Sequence, residues 1–260
     1  MAKRRHEEIL VRIRRERPDV VDAEAMVRAG RVWVGGALVE NVRARVRADA
    51  PLVIDTPREL RGTIKLRAAL DAFDVVVAGR TAADLGASTG GFTAELLRRG
   101  AARVYAVDAG HGQLLGSLRQ DARVVTLERT NLADVRIDEA IDVVTVDLAY
   151  LALARAAPHI ARLPLAAGAD VVALVKPMFE LGLAAAPVDD ASLAEAWARA
   201  IAGLAAHGLH AIASTPSPIP GARGARELFV HARLQCAPTP GTLADDGGRR
   251  RHEGAPRTDD

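Results

Sequence analysis

The segment 81–92 constrains the fold of this chain more than any other stretch. Its sequence, TAADLGASTGGF, is a short apolar run with an acid near its end, followed by a glycine-rich turn. Residues 93–99 continue with helical spacing, so the segment predicts a strand, a tight loop and the start of a helix. Gly86, Gly90 and Gly91 let the backbone adopt positive φ and let a ligand approach main-chain N–H groups.

A second acid follows at the distance that a nucleotide site requires. The apolar run 104–107 stops at Asp108, about 20 residues beyond the loop, where an acid binds ribose hydroxyls in parallel α/β sheets. The loop is neither the G-x-G-x-x-G of a dinucleotide fold nor a triphosphate loop with Gly-Lys-Ser/Thr. A glycine-rich turn alone is equally typical of a plain structural turn. With acids at Asp84 and Asp108, it favours a ligand with cationic and hydroxyl groups, and S-adenosylmethionine has both.

From residue 65 onward, apolar runs alternate with helical patterns. This alternation predicts a parallel sheet covered on both faces, and therefore an α/β fold with a Rossmann-like sheet. The predicted strands are 82–85, 103–107, 122–126, 141–147 and 169–175, with 211–213 and 228–232 as an edge hairpin, and the predicted helices are 65–73, 91–99, 112–119, 151–162 and 190–206.

The first 55 residues have a different pattern and an excess of positive charge. A basic helix over 4–16, a helix over 23–29, a hairpin over 31–39 and a strand at 51–55 predict a small α+β domain. Up to Lys65 the chain has 15 Lys and Arg against 10 Asp and Glu, a net +5 in a chain whose total is +2. This indicates a phosphate-backbone partner, with a solvated arginine-rich surface as the alternative. The candidate RNA contacts are Arg4, Arg5, Arg12, Arg14, Arg15, Arg28 and Arg31.

These patterns predict four segments: the basic domain 1–55, a linker 56–64, the α/β domain 65–235 and a disordered tail 236–260. The only cysteine, Cys236, excludes a disulfide framework and a multi-cysteine zinc site and fits a reducing cytoplasm. The sequence has no signal-peptide pattern after Met1 and no stretch near the ~18 apolar residues of a membrane span. We therefore expect a cytoplasmic protein with no metal and no membrane partner.

Lysine is rare in this chain, and its positions are informative. Of 35 basic residues only Lys3, Lys65 and Lys176 are lysine. Lysine can lose its proton when desolvated, whereas arginine effectively cannot, so Lys65 and Lys176 are candidates for acid–base or orienting roles, with residual drift as the alternative. Asp147 and Lys176 each end a predicted strand, where residues of a parallel sheet converge. Glu227 begins the last strand, so two lysines and two carboxylates are predicted to share one site.

The chain contains a set of specific motifs: DLGASTGGFT at 84–93, VYAVD at 104–108 with GQL at 112–114, ERTN at 128–131, DL at 147–148 and KPMFE at 176–180, while AGRVWVGG at 29–36 resembles the S4 RNA-binding module. Together these motifs resemble those of the TlyA family, also labelled the haemolysin A family. Proteins of this family join an S4 module to an FtsJ-like methyltransferase that methylates ribose 2′-hydroxyls of ribosomal RNA. The resemblance implies a catalytic Lys-Asp-Lys-Glu tetrad of Lys65, Asp147, Lys176 and Glu227.

The resemblance also implies S-adenosyl-L-methionine as cofactor, ribosomal RNA or a ribosomal subunit as partner, and cytidine as the modified nucleotide. Asn131 is expected to contact adenine or to cap a helix. Three methyltransferase segments depart from the family: RGTIK at 61–65 replaces Ser-Arg-Gly-Gly-x-Lys, DLAY at 147–150 replaces Asp-Leu-Ser-Phe, and ARE at 225–227 replaces Asn-x-Glu. The residues expected to bind the cofactor are Asp84, Gly86, Ser88, Thr89, Gly90, Gly91, Phe92, Asp108 and Asn131.

Two other functions fit the sequence. A ribosome-assembly factor would keep the fold and bind RNA without catalysis, and methyl transfer from labelled S-adenosylmethionine to ribosomal subunits separates it from an enzyme. A small-molecule methyltransferase would have no use for the basic domain and would stay active without residues 1–55. The haemolysin label implies membrane damage, but no amphipathic or apolar segment of the sequence supports that activity.

Overall fold

A computed structural model describes residues 5–20, 22–55 and 59–234 of the chain. The chain divides into two units, Met1–Leu60 and Arg61–Asp260. The predicted tail 236–260 and the predicted RNA contact Arg4 lie outside the described residues. Among the described residues, no helix has the length and apolar character needed to cross a membrane.

The N-terminal unit has the predicted mixture of helices and short strands. Strand β2 pairs antiparallel with both β3 and β5, and β1 pairs antiparallel with β4. Helix α1 begins at Ile9 and not near residue 4, because His6–Glu8 pairs with Arg45–Arg47 as a strand. The elements are β1 (His6–Glu8), α1 (Ile9–Glu16), α2 (Ala23–Arg28), β2 (Val32–Val34), β3 (Ala37–Leu38), β4 (Arg45–Arg47) and β5 (Leu52–Ile54).

The second unit is built on a seven-stranded sheet, which confirms the predicted α/β class. The strand order is β11-β12-β10-β9-β6-β7-β8. The five neighbouring strands β10, β9, β6, β7 and β8 are parallel to one another. Strand β12 runs antiparallel to both β10 and β11. Its elements are α3 (Arg61–Ala72), β6 (Thr81–Leu85), α4 (Gly91–Arg98), β7 (Arg103–Val107), α5 (Gly116–Arg119), β8 (Val124–Leu127), β9 (Ile141–Val146), α6 (Leu153–Ile160), β10 (Leu165–Val175), α7 (Pro177–Glu180), α8 (Asp190–Ala205), β11 (Leu209–Pro216) and β12 (Leu228–Leu234), with 3₁₀ turns at Leu132–Asp134 and Ala222–Gly224.

Helices cover the two faces of this sheet and form two apolar cores. Successive residues of β10 alternate between them: Val171 belongs to the core under α6 and α8, and Val172 to the core under α3 and α4. Both residues are fully buried. A strand buried on both faces needs apolar residues at consecutive positions, which is why the second half of β10, from Val171 to Val175, is an uninterrupted apolar run.

Three elements of this unit begin four residues away from their predicted starts. β10 begins at Leu165 and not at 169, and the helix predicted for 112–119 forms only over Gly116–Arg119. Helix α3 begins at Arg61, inside the segment predicted to be a linker. Its first turn is fixed because Gly62 and Gly91 touch: a Cβ on Gly91 would lie 2.8 Å from the Gly62 Cα.

A buried carboxylate joins three strands at the amino end of the parallel sheet. Asp170 is 2% exposed, and its oxygens lie 2.8 Å from Arg80 Nη1, His231 Nε2 and Arg233 Nε. Burial alone raises the pKa of Asp170, but the hydrogen bonds from His231, Arg233 and Arg80 outweigh it and lower that pKa to about 2.

We expect Asp170→Asn to lower the free energy of unfolding of this unit by about 1–3 kcal/mol, because a buried amide cannot replace the carboxylate as acceptor for Arg80, His231 and Arg233. The depressed pKa contributes stability above the ordinary pKa near 3.8, and this contribution is lost as pH falls through about 2. Wild type should therefore lose more stability than the variant between pH 4 and pH 2.

Urea unfolding followed by Trp197 fluorescence measures the free energy of unfolding of both proteins at each pH. A Trp33→Phe background removes the other tryptophan of the chain. Equal unfolding midpoints of the two proteins at pH 7 would contradict the role given to Asp170.

Candidate active site

A cavity of about 250 Å³ lies where strands β6, β7 and β9 end. Of the predicted cofactor residues, Gly86, Ser88 and Asp108 line this cavity, which we call the acidic cavity because Asp108 and Asp147 lie in its wall. The other lining residues are Ala109, Gly110, Gln113, Ala149 and Tyr150.

Asp108 fixes the glycine-rich loop through backbone donors. Its Oδ2 accepts a 2.7 Å hydrogen bond from Ser88 N, and its Oδ1 accepts a 2.6 Å bond from Gly110 N. Ser88 has φ 47°, a conformation that non-glycine residues adopt rarely and mostly where the surrounding structure imposes it. Ser88 Oγ donates to Gln113 Oε1 at 3.1 Å, so Gln113 is part of the same wall.

Gly86 has no room for a side chain. It has φ 92°, and a Cβ there would lie 2.5 Å from the carbonyl oxygen of Asp147. Asp147 N also donates to Leu85 O at 3.0 Å. The loop after β6 therefore lies directly against the end of β9.

A narrow, mostly apolar slot adjoins the acidic cavity. It shares Gly86, Asp108, Ala109 and Tyr150 with that cavity, and Leu85, Val107, Thr130, Leu132 and Leu148 complete its lining. Asn131 is not among the described residues that line the slot or the acidic cavity, and no side-chain cap bond from it to the turn 132–134 is found there. The sequence prediction missed Gln113, Thr130 and Tyr150, although Gln113 lies in a motif it used.

The structure corrects the prediction that Asp84 reaches the ligand. Asp84 is fully buried, and its two oxygens accept hydrogen bonds from Thr93 Oγ1 at 2.7 Å and Thr145 Oγ1 at 3.0 Å. Burial raises the pKa of Asp84 to about 6, and the charge of Asp147 adds to this, while both threonines act in the opposite direction. Asp84 anchors the loop to α4 and β9.

The prediction that Phe92 binds the cofactor is corrected as well. Phe92 is 3% exposed and packs in the core, with its ring centroid 6.1 Å from that of Phe229. Gly90 and Gly91 serve packing: a Cβ on Gly90 would lie 2.3 Å from Leu118 Cδ1. Thr89 is exposed and is not among the described residues that line the acidic cavity.

A second cavity of about 290 Å³ contains three of the four predicted tetrad residues, Lys65, Lys176 and Glu227. We call it the lysine cavity. It shares Ala149 with the acidic cavity, whose wall contains the fourth residue, Asp147. Its remaining lining is apolar: Pro177, Met178, Phe179, Ala186, Ala222 and Ala225.

The four residues form two ion pairs. Lys65 Nζ lies 2.5 Å from Glu227 Oε2, and the two side chains are 9% and 4% exposed. Lys176 Nζ lies 2.5 Å from Asp147 Oδ1, although among the described residues this oxygen has no partner with hydrogen-bond geometry. Each lysine thus faces the cavity with a carboxylate beside it.

The sheet topology explains why these residues meet. Asp147 follows β9 and Lys176 follows the neighbouring parallel strand β10, while Glu227 precedes β12, whose Leu228 pairs with Val175. Lys65 comes from α3, held next to the loop by the Gly62–Gly91 contact and by a 2.9 Å hydrogen bond from Thr63 Oγ1 to Gly91 O. The ends of three neighbouring strands and helix α3 therefore bring all four side chains to one place.

In the N-terminal unit, the structure corrects the prediction that Arg12 contacts RNA. Arg12 is 3% exposed and therefore is not available as a surface contact. Its guanidinium donates to Arg47 O and Ala50 O inside the unit. Arg5, Arg14, Arg15 and Arg28 are exposed and Arg31 is half-buried; Arg15, Arg28 and Arg31 lie near the carboxylates of Glu7, Glu24 and Asp55. Arg43 and Arg45 are also exposed, although they are not among the predicted RNA contacts.

The donor set of the acidic cavity fits a nucleoside that carries a positive charge. Two carboxylates, a hydroxyl and an amide face it, and none of the described residues that line it is basic. Carboxylates suit ribose hydroxyls and cationic groups, and the adjoining apolar slot beside Tyr150 suits an aromatic base.

Solved structures share this fold. A candidate haemolysin from Streptococcus thermophilus aligns with a TM-score of 0.66 and 29% identity, covering 91% of both chains. A candidate S-adenosylmethionine-dependent methyltransferase from Listeria monocytogenes aligns with a TM-score of 0.52 over 68% of this chain and all of its own, and its 17% identity shows the fold alone. These likenesses define the class of fold, an α/β sheet with ligand-sized cavities at the carboxyl ends of its strands.

Sequence comparisons give the family. The model of the FtsJ-like methyltransferases matches residues 59–234. The 16S/23S rRNA (cytidine-2′-O)-methyltransferase TlyA of Mycobacterium tuberculosis is 40% identical over 225 residues, 82% of this chain and 84% of that protein. Hemolysin A of Brachyspira hyodysenteriae is 33% identical over 80% of this chain and 91% of that protein. The chain belongs to the FtsJ-like methyltransferase family, in its TlyA branch.

Proposed function

We propose that this protein transfers a methyl group from S-adenosylmethionine to the ribose 2′-hydroxyl of a cytidine in ribosomal RNA. One observation carries the proposal: Lys65, Lys176 and Glu227 line a single cavity that adjoins the acidic cavity through Ala149. A methyl donor and a hydroxyl acceptor need two binding sites whose reacting atoms meet, and two adjoining cavities support such an arrangement. The name of the Mycobacterium tuberculosis relative supports cytidine and ribosomal RNA as the acceptor.

S-adenosylmethionine, when bound, supplies an activated methyl group on a cationic sulfur. Asp108 would accept hydrogen bonds from its ribose hydroxyls, Ser88, Gln113 and the Gly86 backbone would hold the methionine part, and Tyr150 would cover the adenine. These roles follow from the lining of the acidic cavity and the adjoining slot.

On the acceptor side, the tetrad aligns the hydroxyl and removes its proton. Lys176 would contact the 2′-oxygen, and Asp147 holds the Lys176 amine in place. Transfer of the methyl group would form a carbon–oxygen bond while the bound donor leaves as a neutral thioether. The hydroxyl proton would pass to the Lys176 amine in its uncharged form, and the ammonium so formed would pair with Asp147. Lys65, held by Glu227, stabilises the negative charge that develops on the oxygen. Alignment supplies up to ~7–11 kcal/mol, and proton removal ~10²–10⁴-fold.

The N-terminal unit would bind the RNA. Arg5, Arg14, Arg15, Arg28 and Arg31 are the predicted contacts that its surface can offer, together with Arg43 and Arg45. The exposed ion pairs of Arg15 and Arg28 do not argue against this, because such pairs contribute only ~0–1 kcal/mol and can be exchanged for phosphate contacts. Basic residues on this unit would supply the salt-dependent part of the affinity.

The test is methylation of ribosomal RNA and of isolated subunits by the purified protein with methyl-labelled S-adenosylmethionine. Because a 2′-O-methyl group blocks attack of that oxygen on the adjacent phosphodiester, alkaline hydrolysis followed by primer extension maps each modified nucleotide. Label on a cytidine 2′-oxygen is the expected result. Label on a base would overturn the assignment of the acceptor. Binding of the cofactor without label on any RNA would favour the non-catalytic assembly factor.

A further inference from the structure

Glu180 is a buried carboxylate that the proposed chemistry does not use. It ends α7, the single turn that begins directly after Lys176, and it is 8% exposed. Its Oε1 accepts a 2.5 Å hydrogen bond from Leu153 N, and its Oε2 a 3.4 Å bond from Ala154 N. Burial raises the pKa of Glu180, and the two backbone donors act against that rise.

The two donors are the first N–H groups of α6. The residue before this helix is Ala152, whose side chain cannot accept a hydrogen bond, so the helix lacks its own cap. Glu180 supplies the missing acceptor from another segment, 27 residues further along the chain. A carboxylate at a helix N-terminus is also favoured by the helix dipole.

This contact closes a loop around the active site. The segment 148–152 runs from Asp147 to the start of α6 and carries Ala149, which lines both cavities, and Tyr150, which lines the acidic cavity and the slot. One end of the segment is fixed where Asp147 N donates to Leu85 O, and Glu180 fixes the other. Because α7 starts at Pro177, the same residue ties this segment to Lys176.

We propose that Glu180 is a positioning residue that holds the segment 148–152 against the turn after Lys176 and so sets the geometry of both cavities. The inference rests on the proposed function for its catalytic readout. Without Glu180, the start of α6 would lose its acceptor, and Ala149 and Tyr150 would no longer be held in one arrangement beside Asp147.

The experiment compares full-length Glu180→Ala and Glu180→Gln with wild type. Glutamine keeps one carbonyl oxygen for Leu153 N, whereas alanine removes both acceptors. We expect kcat to fall ~10–100-fold in the alanine variant, because misplacement by about 1 Å costs as much as 10²-fold. The glutamine variant should recover most of that loss, and the KM for RNA should change little in either. S-adenosylhomocysteine, measured by calorimetry, should bind several-fold more weakly to the alanine variant.

Asp170→Asn is the matched control, because it removes a buried carboxylate of strand β10 that lines neither the acidic cavity nor the lysine cavity. It should lower Tm and leave kcat and the Kd for S-adenosylhomocysteine unchanged at a temperature where all variants are folded. An unchanged kcat and Kd in Glu180→Ala would overturn the inference, as would equal losses in Asp170→Asn. If wild type itself transfers no label to RNA, the proposed function fails, and the S-adenosylhomocysteine Kd still decides the role of Glu180.

Discussion

Replacing Lys176 by arginine or by methionine should lower kcat for RNA methylation by ~10²–10⁴-fold, the range that proton transfer by a positioned side chain contributes. Lys176 Nζ lies 2.5 Å from Asp147 Oδ1 and lines the cavity that contains Lys65 and Glu227. Arginine keeps the charge but stays protonated, and its planar guanidinium does not match a single Nζ in position. Methionine keeps much of the length and removes the charge. Comparing the two separates the need for a cation from the need for an amine.

Single-turnover rates with saturating cofactor measure this effect without product release. Arg199→Met is the matched control, since it removes a cation that is 54% exposed on α8 and paired with Glu195. It should methylate at the wild-type rate. A Lys176→Arg protein with the wild-type rate would show that Lys176 neither takes up the proton nor places the hydroxyl, and the proposed division of labour in the tetrad would then be abandoned.

The residues that meet at this site were predictable where the topology alone brings them together. Asp147 and Lys176 directly follow neighbouring parallel strands, and the carboxyl ends of such strands share one edge of the sheet. Apolar runs followed by a charged residue mark both positions in the sequence. Glu227 could be placed for the same reason, as it directly precedes the strand that pairs with β10.

Other features depend on contacts that no local pattern encodes. Asp84 lies one residue before the end of β6, whereas Asp147 follows β9, and Asp84 is fully buried with its oxygens bonded to Thr93 and Thr145. Arg12 resembles any basic helix residue in the sequence, but two of its acceptors are carbonyls more than 30 residues away. Strand β1 reads His-Glu-Glu and has no apolar alternation, so its pairing with β4 could not be predicted.

Gly221→Ala should lower kcat by at least ~10-fold, although it adds one methyl group outside the tetrad. Gly221 has φ −70°, which alanine adopts without strain. A Cβ at this position would lie 2.2 Å from Glu227 Oε1 and 2.6 Å from its Cδ, so the carboxylate must move. Glu227 holds Lys65 through a 2.5 Å contact, and both side chains are buried, so the displacement reaches the lysine cavity. The cost in stability should stay near ~1–3 kcal/mol, as for other overpacked sites.

A double-mutant cycle with Glu227→Ala tests this cause. Once the carboxylate is gone, the added methyl group has nothing to displace, so Gly221→Ala should produce no further loss in that background. Gly116→Ala is the control for the glycine change itself, because no described atom lies within 4 Å of a Cβ at Gly116 and its φ is not in the left-handed region. Losses that add independently in the double variant would mean that Gly221 acts through the loop backbone and not through Glu227. That result would remove the steric link between this loop and Lys65.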